Sequence, residues 1–271
     1  MLFRRYLSKE EMKLETESYW SMINGYLQVT SSLFLPASSL FTIFVQNKHS
    51  LKTKKIFLLT ACLSIQLSFA QFAKVIDKDG YVNIRENADA NSKIIGKINS
   101  DEIVYIFEAD NKNWANVSNG YIHNSRLKYI QTYQAVPPTV RDANKAIFKS
   151  GNIKVNIVSG KFNFKENEKD FTSTLNGDYY KEQQVWGIDR TIPKTHYISI
   201  TAQIGDKTIQ IPEKEIENLF EVNNKSTTCY YDRINDILYI SMLNSDGAGT
   251  YAALFTIEKG EYKGRTLEIP F

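Results

Sequence analysis

The chain has 271 residues, 42% hydrophobic and 23% charged, a balance that excludes wholesale disorder and predicts one large domain or two small ones. Its 16 Tyr and 15 Phe favour strands over helices. The net charge of +3 does not mark a nucleic-acid partner: 8 Lys/Arg and 4 Asp/Glu precede Gln71, leaving 25 basic against 26 acidic residues beyond it, whereas a phosphate-binding groove needs clustered excess cations.

Taken in chain order, the first recognisable element is LKTKKIFLLTACLSIQLSFAQ, from Leu51 to Gln71. It has the three parts of a secretory signal peptide: a positive start at Lys52, Lys54 and Lys55, a mostly apolar run from Ile56 to Leu67, and small residues flanking Phe69 before Gln71. A leader over 51–70 predicts an exported chain, periplasmic or extracellular, that begins at Gln71. Residues 1–50 are then expected to be an over-extended N-terminus, with translation starting at Leu51. Two alternatives remain open, both of which would anchor the chain to a membrane. Tyr26 to Gln46 is free of charge and would pair with the 56–73 run as a membrane hairpin, although Pro36 weakens that span. Leu59-Thr60-Ala61-Cys62 is similar to a lipid-attachment motif, although the apolar run continues past Cys62 to Phe69. With Cys62 removed, Cys229 stands alone and no internal disulfide is expected.

Beyond the leader, short strands alternate with turn residues: 81–84, 102–107, 114–117, 120–123 and 127–130. This spacing predicts a small barrel over 71–130. Asn119-Gly120 is a hairpin turn feeding Tyr121, and Val82 and Ile84 alternate inward around Asn83. Gly80-Tyr81-Val82-Asn83-Ile84-Arg85, Ile94-Ile95-Gly96-Lys97-Ile98, Asn113-Trp114-Ala115-Asn116-Val117, Asn119-Gly120-Tyr121-Ile122-His123 and Arg126-Leu127 follow one another in an order that resembles the bacterial SH3-like (SH3b) domain. Glu86-Asn87-Ala88 departs from that family, which often has small residues and a proline there. The resemblance implies binding to cell-envelope material, peptidoglycan peptides among it, with a spacer role as the alternative. It points to Arg85, Tyr105, Trp114, Tyr121 and His123 as candidate ligand contacts, with barrel core as the competing role for Trp114 and Tyr121.

Residues 131–142, with Pro137-Pro138 at their centre, read as an extended linker outside any sheet. From 143 strands resume at 153–158, 161–164, 197–204, 207–211, 227–231, 237–243, 251–257 and 262–269, and 212–220 reads as a short helix. The fold class is therefore mainly β: a small barrel followed by an antiparallel β-rich domain with one short helix. The segments Trp186 to Lys194 and Asn244 to Tyr251 are the most distinctive in this half. Asp246 among small residues suggests a sharp turn rather than a metal or phosphate site. Its many aromatics, Trp186 and Tyr251 among them, are expected mostly in the core, with a sugar-binding groove as the alternative.

No cofactor and no metal site is expected, because a zinc hydrolase needs clustered ligands and only His123 and His196 follow the leader. Cys229 sits mid-strand, the wrong context for a nucleophile, with His196 as its one candidate base nearby. The carboxylates Asp178 and Asp189 carry no motif that would make them a glycosidase pair. The expectation is a non-catalytic interaction protein whose partner is an envelope polymer or envelope protein, touching membrane only through the leader or a lipid on Cys62. A secreted wall hydrolase with its active site in the C-terminal domain is the alternative.

Overall fold

The computed structural model describes residues 71–107, 113–175, 177–189 and 191–270. The expected leader, the extended N-terminus, the membrane hairpin and Cys62 lie outside the described residues. Among the described residues no helix is long and apolar enough to cross a membrane.

Among the described residues seven strands build the N-terminal half: β1 (Phe72–Val75), β2 (Tyr81–Arg85), β3 (Ile94–Asn99), β4 (Ile103–Tyr105), β5 (Trp114–Val117), β6 (Gly120–His123) and β7 (Leu127–Tyr129). They pair as two antiparallel sheets, β4-β1-β7 and β3-β2-β6-β5. Val75, Val82, Ile84, Ile106, Val117 and Ile122 fill the space between them. The expected barrel is thus corrected: the two sheets meet through side chains, and among the described residues their ladders do not close into a barrel.

The C-terminal half is antiparallel β, as expected. One five-stranded sheet, β16-β15-β11-β10-β9, comprises β9 (Pro138–Arg141), β10 (Lys145–Ser150), β11 (Ile153–Lys161), β15 (Thr195–Ile204) and β16 (Lys207–Gln210). The other, β20-β19-β18-β17-β8, comprises β8 (Gln134–Val136), β17 (Thr228–Asp232), β18 (Ile237–Asn244), β19 (Tyr251–Glu258) and β20 (Glu261–Glu268). Alternation along β11 sends Ile153, Val155 and Ile157 inward and leaves Lys154 exposed. The single break expected at Ser159-Gly160, between strands 153–158 and 161–164, does not occur; β11 runs through it with a bulge between Val158 and Ser159.

The helix expected over 212–220 is only a 3₁₀ turn at Glu213–Glu215. Tertiary pairing outcompetes it: the Phe220 amide donates to the Trp186 carbonyl at 2.9 Å, and the Trp186 amide donates to that of Asn218 at 3.0 Å. Among the described residues the one α-helical turn, α1 (Phe164–Asn167), lies elsewhere and leads into a small sheet of β12 (Phe171–Thr174), β13 (Gly177–Tyr180) and β14 (Gln183–Gln184).

The expected linker is also corrected. β8 joins one large sheet through β17 and β9 joins the other through β10, with Pro138 opposite Phe148. Proline fits there because β9 is an edge strand, where the missing amide costs no ladder bond. Burial in β18 and β19 is nearly continuous rather than alternating. On one face Leu238, Ile240, Met242, Ala253 and Phe255 pack towards the other large sheet. On the opposite face Ile237, Tyr239, Ala252 and Leu254 pack against Phe72, Tyr105 and Ile130 of the N-terminal half. The described residues thus belong to one compact unit.

Candidate functional site

In the N-terminal half, three of the five sequence-derived candidates line one cleft of about 400 Å³: Arg85, Trp114 and His123, with Asp77, Asn83 and Arg126 beside them. The β5–β6 hairpin explains the pairing. Its two-residue Ser118-Asn119 turn, with Gly120 opposite Val117 rather than in the turn as expected, places Trp114 directly opposite His123, and the rings meet edge-on at 5.1 Å. Gly120 is required there, since it has φ +135° and a Cβ would strike the Arg85 carbonyl oxygen. His123 Nδ1 accepts from the Ser125 amide at 3.3 Å, so a neutral imidazole carries its proton on Nε2.

Arg85 Nη1 donates to the Ser92 carbonyl at 2.6 Å, and Ser92 Oγ accepts from the Asn87 amide at 2.9 Å. These bonds shape the loop in which the sequence departs from the SH3-like pattern. Arg126 pairs with Asp77 at 3.0 Å. Asn83 Oδ1 is buried and makes no hydrogen bond, an uncommon condition for a polar atom. The structure does not bring the other two candidates to this cleft. Tyr105 lies in the core between the halves, edge-on to Phe72 at 5.2 Å, and burial raises the pKa of its hydroxyl. Tyr121 is half-buried on β6, opposite Asn116 and Arg85 in register, outside the lining.

A second cleft, of about 630 Å³, brings together the two segments that the sequence marked as distinctive. Asp189 and Thr191 come from one, Ser245 and Asp246 from the other, and Glu221 and Asn223 from a third strip of chain. Backbone convergence builds its walls. Gly187 has φ +99°, and a Cβ there would collide with the Phe220 carbonyl. Ser245 Oγ donates to the Gly187 carbonyl at 2.7 Å, and the Ser245 amide donates to that of Glu221 at 2.9 Å. Glu221 Oε1 in turn accepts from the Lys194 amide at 2.6 Å. Glu221 at φ +48° and Ser245 at φ +62° hold left-handed conformations that are uncommon for non-glycine residues and that concentrate at functional sites. Glu221 was missed by sequence reasoning because it sits in no motif; its place follows only from the chain crossing beside Gly187.

The catalytic alternative with Cys229 finds opposing chemistry. Burial pushes the Cys229 thiol well above its ordinary range, the reverse of what an attacking thiolate requires. Cys229 lies opposite Val136 and Ile240 in one large sheet, while His196 belongs to the other and packs edge-on to Phe162 at 5.2 Å. Asp178 accepts from Ser173 Oγ at 2.6 Å in the β12–β13 hairpin, whereas Asp189 lines the second cleft. No protein-family model, no curated protein and no solved structure matches the chain.

Proposed function

We propose that the protein is an exported, non-catalytic binding module whose SH3-like N-terminal half engages cell-envelope material, peptidoglycan in the first instance, through the Trp114–His123 cleft. The observation that carries this reading is the convergence of Arg85, Trp114 and His123 on one concave surface from three different strand positions. Support also comes from the mixture of charges there, Asp77 against Arg85 and Arg126. Export rests on the leader pattern before Gln71.

Retention of purified residues 71–271 on insoluble peptidoglycan tests the proposal. Arg85→Ala and His123→Ala are expected to weaken retention about tenfold, as polar contacts of about 1.4 kcal/mol would, in chains that still fold cooperatively. No retention of the parent chain sinks the wall-binding reading. Release of soluble muropeptides would establish the hydrolase alternative instead.

A further inference from the structure

The second cleft lies in the other half of the chain and has no part in the reading above. From its lining we infer that it is a binding site for a neutral, hydroxyl-rich ligand: a short saccharide.

The argument is one of elimination by lining chemistry. Of the residues that line the cleft, only Val222 and Ala248 offer apolar side chains, so a hydrophobic ligand would gain little area. Among the described lining residues, Asp189, Glu221 and Asp246 face one Lys194, which disfavours an anion. Among the described residues no group of three or more His, Cys, Asp or Glu is placed to hold a metal ion. What remains is a surface of hydrogen-bond acceptors and two-way groups. Asp189 and Asp246 accept only, while Asn223, Thr191 and Ser245 both donate and accept. Adjacent sugar hydroxyls match that set, because each donates once and accepts as well.

Size and rigidity agree with this. The cleft's roughly 630 Å³ falls inside the range of about 300–1,000 Å³ usual for ligand pockets. Gly247, with open space where a Cβ would stand, and Ala248 leave the surface open to close approach by a ring. The walls are tied before any ligand arrives. Besides the Ser245 and Glu221 bonds, the Val222 amide donates to Thr195 Oγ1 at 3.0 Å and the Asn223 amide to Asn244 Oδ1 at 2.9 Å. Asn244 is itself fully buried and receives Tyr197 Oη at 3.2 Å. A pre-formed site of this kind loses little conformational freedom on binding.

Saturation-transfer NMR on protein purified from cells expressing the full chain tests the assignment, with diacetylchitobiose, cellobiose and spermidine as probes. Transfer to the ring protons of a disaccharide is expected. The Asp189→Asn/Asp246→Asn pair should weaken it about tenfold or more, by removing charge-assisted acceptors, at an unchanged melting temperature. Ala248→Arg, at an exposed position on the rim, should block binding by filling the cleft, and provides the check if the double variant misfolds. Ile234→Ala, exposed and outside both clefts, should leave it intact. No transfer to either disaccharide, transfer that survives the cleft variants, or binding of spermidine alone would each overturn the assignment. A chain that binds the disaccharide yet is not retained on peptidoglycan loses the envelope reading and keeps this one.

Discussion

His196 is the residue whose surroundings most directly predict a measurable pH response. Its ring lies edge-on to Phe162, which in turn meets Phe171 at 6.0 Å, Tyr180 at 5.7 Å and Phe220 at 4.9 Å. Burial beside these rings depresses the imidazole's pKa below 6.5, because the charged form forfeits its water. Just below pH 6.5 the unfolded chain therefore binds more protons than the folded one. The contribution to stability is full above that value and is lost as pH falls from it towards the folded-state pKa. The urea midpoint of the parent is expected to drop more between about pH 8 and about pH 5 than that of His196→Gln, in which nothing titrates at this position. Equal drops in the two chains would show that His196 is not the group responsible.

Among the elements, legibility followed local signals. Trp114–Val117 and Gly120–His123 lie where the sequence placed them, because a glycine beside an asparagine marks a tight hairpin without tertiary help, although the connecting residues are Ser118 and Asn119 and Gly120 opens the second strand. Strands β1 and β10 went unread: Phe72–Val75 adjoins the apolar leader without a turn between, and Lys145–Ser150 lies between a supposed linker and the first strand that was read. The 3₁₀ turn at Glu213–Glu215 replaced a helix because Leu219 and Phe220 pair with residues more than twenty positions away, a preference no local pattern contains. The connector misled for a related reason, since prolines exclude a central strand but not an edge. Its strands join both large sheets, with Cys229 opposite Val136 on one side and Ile147 opposite Val140 on the other. Inserting Gly-Gly between Pro137 and Pro138 should uncouple the two registers and lower stability by about 2 kcal/mol, within the ordinary span for disrupting such features. An unchanged urea midpoint would mean that residues 134–141 act as a passive tether after all.

For the whole molecule, the decisive pattern was present in the sequence yet ambiguous. ILYISMLN and YAALFTIE are apolar on both faces, which marks strands covered on both sides, but composition alone cannot say by what. The structure supplies the cover: the N-terminal half lies on Tyr239 and Leu254, with Tyr133 stacked on Tyr239 at 5.5 Å. The same limit applied to the clefts. Arg85, Trp114 and His123 belong to one short stretch with a recognisable order, whereas Gly187, Glu221 and Ser245 lie far apart along the chain and meet only after both large sheets have formed. Sharing a core has an energetic consequence. If the two halves were merely tethered, each would melt at its own temperature; because Phe72, Tyr105 and Ile130 are buried against Ile237, Tyr239 and Leu254, neither can unfold without exposing apolar surface of the other. Calorimetry on residues 71–271 should accordingly record a single transition whose calorimetric and van't Hoff enthalpies agree. Leu254→Ala, which removes a fully buried side chain from that interface, should cost about 3 kcal/mol and broaden or split the transition. Two resolved transitions in the parent chain would show that the shared core does not couple the halves, and the N-terminal cleft would then be carried by an independently folding module.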